Sequence, residues 1–198
     1  MEVLDSGHHG TKIVGRKYLA SMQLDLTGKH ALVCGASQGI GLAAAMGLAE
    51  LGASCTLMAR NAERLEAAVA QLPGTGHASA VADFSDPESV RKVAESVAGK
   101  RPVDILVNNT GGPAGGPAHG AETAAYLAAF SQHLICNQHL VQAVLPGMRS
   151  AGAGRIVNVI STSVKQPSMV SGYPTPCVVP WRIGQRPSPT SSGPTASP

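Results

Sequence analysis

Residues 31–49 read ALVCGASQGIGLAAAMGLA, an apolar run followed by a glycine-rich turn and an alanine-rich segment. This order predicts a strand, a tight turn and a helix, and the glycines let the backbone turn sharply and approach a ligand. The helix N-terminus offers free N–H groups and a partial positive charge, both of which favour a pyrophosphate. The residues assigned to the binding loop are Gly35, Ser37, Gln38, Gly39, Ile40 and Gly41. The stretch therefore predicts a dinucleotide site.

Strand and helix patterns alternate along the chain from Leu24 onward. The predicted strands are 30–35, 54–58, 77–83, 103–107 and 155–160. The predicted helices cover 40–51, a segment capped by Asn61, a segment begun by Asp86 and Pro87, and a stretch within 121–148. This alternation predicts an α/β fold with a Rossmann-type, doubly wound parallel sheet. The continuous Ile-Val-Asn-Val-Ile run of the last strand predicts burial on both faces.

Composition narrows the class of protein. The 198 residues are 43% hydrophobic but only 3% aromatic, which predicts one domain with an aliphatic, alanine-rich core. The net charge of +3 is scattered, so we predict no nucleic-acid partner. No apolar run approaches the roughly 18–20 residues of a membrane span, and no secretory signal is recognised. Four cysteines without CxxC spacing indicate reduced, buried thiols in the cytoplasm, and no metal site is predicted.

The chain divides into three predicted segments. Residues 1–21 are predicted to be a flexible extension, 22–166 the nucleotide-binding domain and 167–198 a tail rich in proline and serine. The tail shows no helix or strand pattern, which indicates disorder. An alternative is an interaction module, since Pro187-Ser188-Pro189 allows polyproline geometry.

Further motifs make residues 22–167 resemble a known family. The loop at 34–41 is similar to the pattern TGxxxGIG, with Cys34 in place of the threonine. Residues 108–111 read NNTG and resemble the motif NNAG, and residues 154–161 resemble a strand that ends in a substrate-orienting serine. These patterns resemble those of the short-chain dehydrogenase/reductase family. The resemblance implies catalysis by an oxidoreductase in addition to cofactor binding.

The resemblance assigns four more residues to the nucleotide. Asp83, after the third strand, would hydrogen-bond the adenine. Asn108, Asn109 and Gly111 would support the sheet and line the nucleotide side. The plainer interpretation makes Asp83 a cap before a helix and the two asparagines ordinary turn residues.

The resemblance also assigns two catalytic positions. Asn137 would hold a proton-relay water, and Ser161 would orient the substrate carbonyl. The alternatives are that Asn137 is an ordinary helix residue and that the serine role belongs to a neighbour within 161–163. The small-molecule substrate would be a carbonyl or alcohol compound.

Charge at the end of the second strand distinguishes two cofactors. An acidic residue there would hold the ribose hydroxyl of NAD(H), whereas this chain has Arg60. A guanidinium makes charge-assisted contacts to a 2′-phosphate. NADP(H) is therefore favoured over NAD(H), and the alternative is a surface arginine at a helix start.

The family's tyrosine and lysine are missing from the expected register. The tyrosine, which donates the proton, is expected at Pro174. Tyr173 lies one residue early, and Cys177 rather than lysine follows four residues later. Because prolines flank this region, we do not assign Tyr173 a catalytic role.

A change of reading frame offers one explanation for the altered tail. Back-translated and read one nucleotide earlier, residues 170–198 permit a sequence that resembles the family's next helix, with serine and arginine at the tyrosine and lysine positions. The hypothesis is a C-terminal truncation or frameshift after about Pro167. It leaves about five of the family's roughly seven strands, and the fifth strand would have an open edge and an uncovered apolar face. An unambiguous in-frame reading of the DNA would contradict it.

These observations predict the function. The leading prediction is an NADP(H)-dependent carbonyl or alcohol oxidoreductase of this family, with a 3-oxoacyl compound among its candidate substrates. Loss of the catalytic part predicts little turnover by this chain and weak assembly in place of the family's homo-oligomers. The alternative is a non-enzymatic dinucleotide-binding or redox-sensing protein.

Overall fold

A computed structural model describes residues 24–112 and 122–160, which form one parallel sheet between two layers of helices. The strands are β1 His30–Cys34, β2 Ser54–Ala59, β3 Ala78–Val81, β4 Ile105–Asn108 and β5 Arg155–Asn158. The helices are α1 Gly39–Glu50, α2 Ala62–Val69, α3 Pro87–Lys100, α4 Thr123–Phe130 and α5 Cys136–Ser150, with a π-helical turn, Ser131–Ile135, between α4 and α5. The extension and the tail fall outside these residues.

The strand order is β3-β2-β1-β4-β5, and every pairing is parallel. The chain builds outward from β1 to β3, then crosses back to place β4 on the other side of β1. Such a reversal opens a crevice at the carboxyl ends of β1 and β4, where α/β sheets bind ligands. The Rossmann-type fold predicted from the alternation is confirmed.

Each face of the sheet carries its own apolar core. Leu32 and Cys34 of β1 face a cluster with α3 and α5, while Ala31 and Val33 face a cluster with α1 and α2. Alternate side chains of a strand point to opposite faces, so a central strand covered on both sides must be apolar throughout. This explains why the run before the glycine loop shows no polar alternation.

Local capping signals set two helix starts. The Asn61 side-chain carbonyl accepts a hydrogen bond from the Arg64 amide at 2.8 Å and caps α2. Asp86 caps α3 by accepting from two backbone amides, with Pro87 in the first turn. Both starts were predicted from the sequence, because capping chemistry is local.

The last strand is not buried on both faces, as its apolar pattern alone indicates, but lies at the open edge that the missing strands predict. The run at 155–158 is exposed or half-buried, and Val157 and Ile160 are 48% and 52% exposed. The reason is position, because β5 is the edge strand and β4 is its one neighbour among the described residues. An apolar sequence therefore correctly indicated a strand but not the layer that covers it.

Three of the four cysteines lie in the core. Cys34, Cys55 and Cys136 are free and buried, as predicted, and Cys177 falls outside the described residues. Burial raises the pKa of Cys55 to about 11, so its thiol stays protonated at neutral pH. Among the helices of the described ranges, none is long and apolar enough to cross a bilayer.

His30 is buried at the amino end of the sheet. Its ring nitrogens lie 3.1 Å from the Pro102 carbonyl and 2.8 Å from the Thr56 hydroxyl, and 5% of the residue is exposed. Burial, as the largest cause, lowers the pKa of His30 below its ordinary value. The neutral ring therefore links the start of β1 to β2 and to the segment before β4.

We predict that the free energy of unfolding decreases as the pH falls from 7.5 to 5.5. The folded state disfavours the charged ring of His30, so its pKa is lower there than in the unfolded chain, where it is about 6.5. As the pH falls through that value, the unfolded chain binds the proton more readily, and the folded state loses stability. Thermal melts across this range would measure the slope. His30→Gln, which keeps polar contacts without titrating, should flatten it, and equal slopes in the two proteins would contradict the prediction.

Candidate cofactor site

The loop after β1 has a backbone that requires glycine. Gly35 and Gly39 have φ angles of +58° and +60°, in the left-handed region that favours glycine. A Cβ on Gly35 would also lie 2.6 Å from the Asn109 carbonyl oxygen. Glycine is therefore required at position 35 for two reasons: the turn needs its φ angle, and the backbone of Asn109 approaches too closely for a side chain.

Gly41 brings the first turn of α1 against that loop. Gly41 is buried. A Cβ at this position would collide with the Gly35 carbonyl and lie 2.9 Å from the side-chain nitrogen Nδ2 of Asn109. Gly39, in contrast, would meet nothing within 4 Å. Gly35 and Gly41 therefore let the helix pack closely onto the sheet, whereas Gly39 faces open space.

Asn109 holds the loop from the neighbouring strand. Its Nδ2 lies 3.2 Å from the Cys34 carbonyl oxygen and 3.3 Å from that of Gly35, and donates to both. The adjacent Asn108 donates to Asn158 Oδ1 at 2.8 Å and thereby links β4 to β5. Both asparagines therefore have scaffolding contacts across the switch point.

The N-terminus of α1 has no side-chain cap. Gln38 occupies the cap position without a side-chain hydrogen bond, and the first turn holds no acidic residue. Ile40 is 65% exposed, and Ser37 is half-buried. Because the first amides of a helix lack intrahelical partners, these N–H groups are free to bind an anion. The loop therefore fits a pyrophosphate.

Arg60 and Asp83 lie at the carboxyl ends of β2 and β3, and both are exposed. The Ser85 backbone amide donates to Asp83 Oδ1 at 2.9 Å. This bond, the Ser85 hydroxyl and, to a smaller extent, the Arg60 charge lower the pKa of Asp83. An accepting carboxylate and a guanidinium thus lie on the same side of the loop, as an adenosine phosphate would require.

On the other side, the π-helical turn contacts the segment after β4. Gln132 Nε2 donates to the Gly111 carbonyl at 3.1 Å, and His133 Nδ1 lies 2.6 Å from the Thr110 hydroxyl. Sequence reasoning assigned Gly111 to this edge but missed Gln132 and His133. No local pattern marks them, because their contacts depend on how α4 and α5 return to the sheet.

The predicted catalytic residues are only partly described. Asn137 lies in the first turn of α5, half-buried, and its Oδ1 has no hydrogen-bond partner in the described part of the chain. Its role in holding water stays a prediction. Ser161 and Tyr173 fall outside the described residues, so Asn137 is the one predicted catalytic residue that the described ranges contain.

The switch-point sheet and the uncapped glycine loop define the class, which is a dinucleotide-binding protein of Rossmann type. The sequence model of the family described as short chain dehydrogenase matches residues 29–175. The chain belongs to the short-chain dehydrogenase family.

Relatives extend this match. The ketoacyl reductase 1 of the granaticin polyketide synthase of Streptomyces violaceoruber is 41% identical over 141 residues, which cover 69% of this chain and 52% of the relative. Gluconate 5-dehydrogenase of Gluconobacter oxydans is 38% identical over 148 residues, with 69% and 54% covered. The chain thus spans about half the length of these curated relatives.

A similar solved structure is L-sorbose reductase of Gluconobacter frateurii, complexed with NADPH and L-sorbose. It superimposes with a TM-score of 0.73 at 33% identity, over 79% of this chain and 60% of that one. The similarity therefore covers the larger part of the chain in sequence and in structure.

We predict opposite outcomes for alanine at two glycines of α1. Gly41→Ala should lower the free energy of unfolding by about 1–3 kcal/mol, because the new Cβ collides with backbone. Gly47→Ala is the matched control, since a Cβ there meets nothing within 4 Å. It should stabilise the helix by up to about 1 kcal/mol. Urea denaturation measures both, and equal stabilities would contradict the tight contact.

Proposed function

We propose that the chain binds NADP(H) at the carboxyl edge of its sheet, as part of an oxidoreductase that interconverts a small carbonyl compound and its alcohol. The proposal is carried by the loop at the switch point, where Asn109 holds Gly35 and the N-terminus of α1 is uncapped. This combination suits a pyrophosphate. Family membership supports the reaction class.

The chain's residues would divide the cofactor between them. The backbone amides at Gly39–Gly41 would bind the pyrophosphate, Arg60 the 2′-phosphate and Asp83 the adenine amino group. The segment from Thr110 to Gly111 would border the nicotinamide half. When bound, the cofactor supplies or accepts a hydride.

A preference for NADP(H) over NAD(H) follows from charge. The chain places an arginine directly after β2, where a carboxylate would repel a 2′-phosphate. Asp83, just after β3, accepts hydrogen bonds from Ser85, and its negative charge also attracts the guanidinium of Arg60. The NADPH in the L-sorbose reductase complex supports the same preference.

The named relatives support a polar substrate. They act on gluconate, L-sorbose or ketoacyl compounds by their names, so a polyol, its ketone or a 3-oxoacyl compound is the proposed class. We propose slow turnover, because Pro174 stands where the family places its proton-donating tyrosine. The altered reading frame after about Pro167 remains our hypothesis for that difference.

Arg60→Ala should weaken NADPH binding and leave NADH binding unchanged. Loss of hydrogen bonds to a charged group costs about 1.5–3 kcal/mol, which raises the Kd about ten- to a hundredfold. Fluorescence titration of both nucleotides measures the effect. Arg64→Ala, an exposed arginine on α2, is the matched control and should change neither Kd.

The reaction itself is tested by the absorbance of NADPH. The full chain, mixed with NADPH and a panel containing L-sorbose and an acetoacetyl thioester, should oxidise NADPH slowly and only when a carbonyl compound is present. Tight NADPH binding with no oxidation by any compound would favour the non-enzymatic alternative. Absence of NADPH binding would overturn the proposal.

A further inference from the structure

The π-helical turn places a histidine against the segment that follows β4. His133 Nδ1 lies 2.6 Å from the Thr110 hydroxyl, while the preceding residue, Gln132, donates to the Gly111 carbonyl at 3.1 Å. Two consecutive side chains of the turn therefore hold two consecutive residues of the loop, and the imidazole orientation is fixed. Single π-helical turns within α-helices are frequent at functional sites.

The second ring nitrogen of His133 is unused. Nε2 is buried and has no hydrogen-bond partner among residues 24–112 and 122–160. A neutral imidazole has one donor and one acceptor nitrogen, so engaging Nδ1 leaves one polar atom unsatisfied. Buried polar atoms of this kind are rare in folded proteins and call for a ligand or water. Asn137, four residues further on, carries another such atom, Oδ1.

The topology places this nitrogen at the reactive end of the cofactor, a step that rests on the proposed function. Arg60 and Asp83 mark the adenosine end over β2 and β3, and the glycine loop marks the pyrophosphate. A dinucleotide laid across the switch point then extends its nicotinamide half toward β4 and β5. Thr110 and His133 stand directly beyond β4.

We propose that His133 is the proton-transfer residue of this site and that Thr110 sets its tautomer. Nδ1–H donates to the Thr110 hydroxyl oxygen, which leaves the lone pair of Nε2 as the unpartnered acceptor of the ring. In alcohol oxidation the substrate O–H bond breaks and its proton passes to Nε2. The C=O bond forms as the carbinol hydrogen leaves with its electron pair, as the hydride that NADP⁺ accepts. The imidazolium then releases its proton to water.

Two further observations fit this role. Burial lowers the pKa of His133, so the ring is neutral and able to accept a proton at neutral pH. The family's tyrosine position holds Pro174, so the proton requires another carrier. The bond at the other ring nitrogen of His133 is the one to the Thr110 hydroxyl, which can accept from Nδ1–H or donate to Nδ1, and our proposal gives it the accepting role.

His139 provides a matched control on α5. Its Nδ1 is also buried and has no partner within the ranges that the structure describes, but the residue lines a groove between α3 and α5 together with Arg91 and Glu95. The two histidines thus share a helical segment and an unpartnered nitrogen, and they differ in the region that they face.

The test is nitrogen NMR of the full chain labelled with ¹⁵N-histidine, at pH 7.0, with ring signals assigned through bonds and checked with His133→Gln. We expect Nε2 of His133 to have the shift of a bare nitrogen and to move when NADP⁺ is added, while the His139 signals stay in place. Thr110→Val should remove the tautomer preference. These results support the inference.

Three results would overturn it. A protonated Nε2 in the neutral ring would show the opposite tautomer, and an Nε2 signal unmoved by bound NADP⁺ would show that it faces elsewhere. A third is an unchanged tautomer in Thr110→Val. If fluorescence shows no NADPH binding at all, the proposed function fails together with this inference. Binding with an unmoved His133 signal overturns this inference alone.

Discussion

The contact between the β1–α1 loop and Asn109 leaves no room for a Cβ at Gly35 or Gly41. Asn109 follows β4, so this contact joins the two strands between which the sheet reverses its order. The helix that begins there is drawn onto the sheet, and its first amides stay without side-chain partners. A helix N-terminus with uncapped amides thus results from packing that excludes side chains, and this is the anion site that we propose.

Across the carboxyl edge of the sheet, the candidate binding groups lie in the order adenosine end, pyrophosphate, nicotinamide end of a dinucleotide. Arg60 and Asp83 stand over β2 and β3, the glycine loop over β1, and Thr110 with His133 beyond β4. The opposite edge holds a histidine of another kind. The two ring nitrogens of His30 both have partners within the strands and their flanking segments, which makes it structural. What separates the two histidines is whether every ring nitrogen is satisfied.

Much of the fold could be predicted because its signals are local. Asn61 and Asp86 cap helices through atoms two or three residues away, and the apolar strands stand out against the turns between them. The apolar run of β5 indicated burial on both faces, whereas the count of strands missing relative to the family predicted the open edge at which β5 lies. In the site, the glycines and both asparagines were identified by motif, whereas the contacts of Asn109 with the loop span 74 and 75 residues and were not foreseen.

The sequence by itself determined the class of fold, the position of the glycine-rich turn and the charge beside it. Each depends on residues close together in the chain, through backbone freedom, capping or hydrophobic periodicity. The tertiary structure alone decided that His133 meets Thr110 across 23 residues. It also left Nε2 of that ring buried without a partner. Such features depend on which distant segments become neighbours, and no short stretch of sequence contains that information.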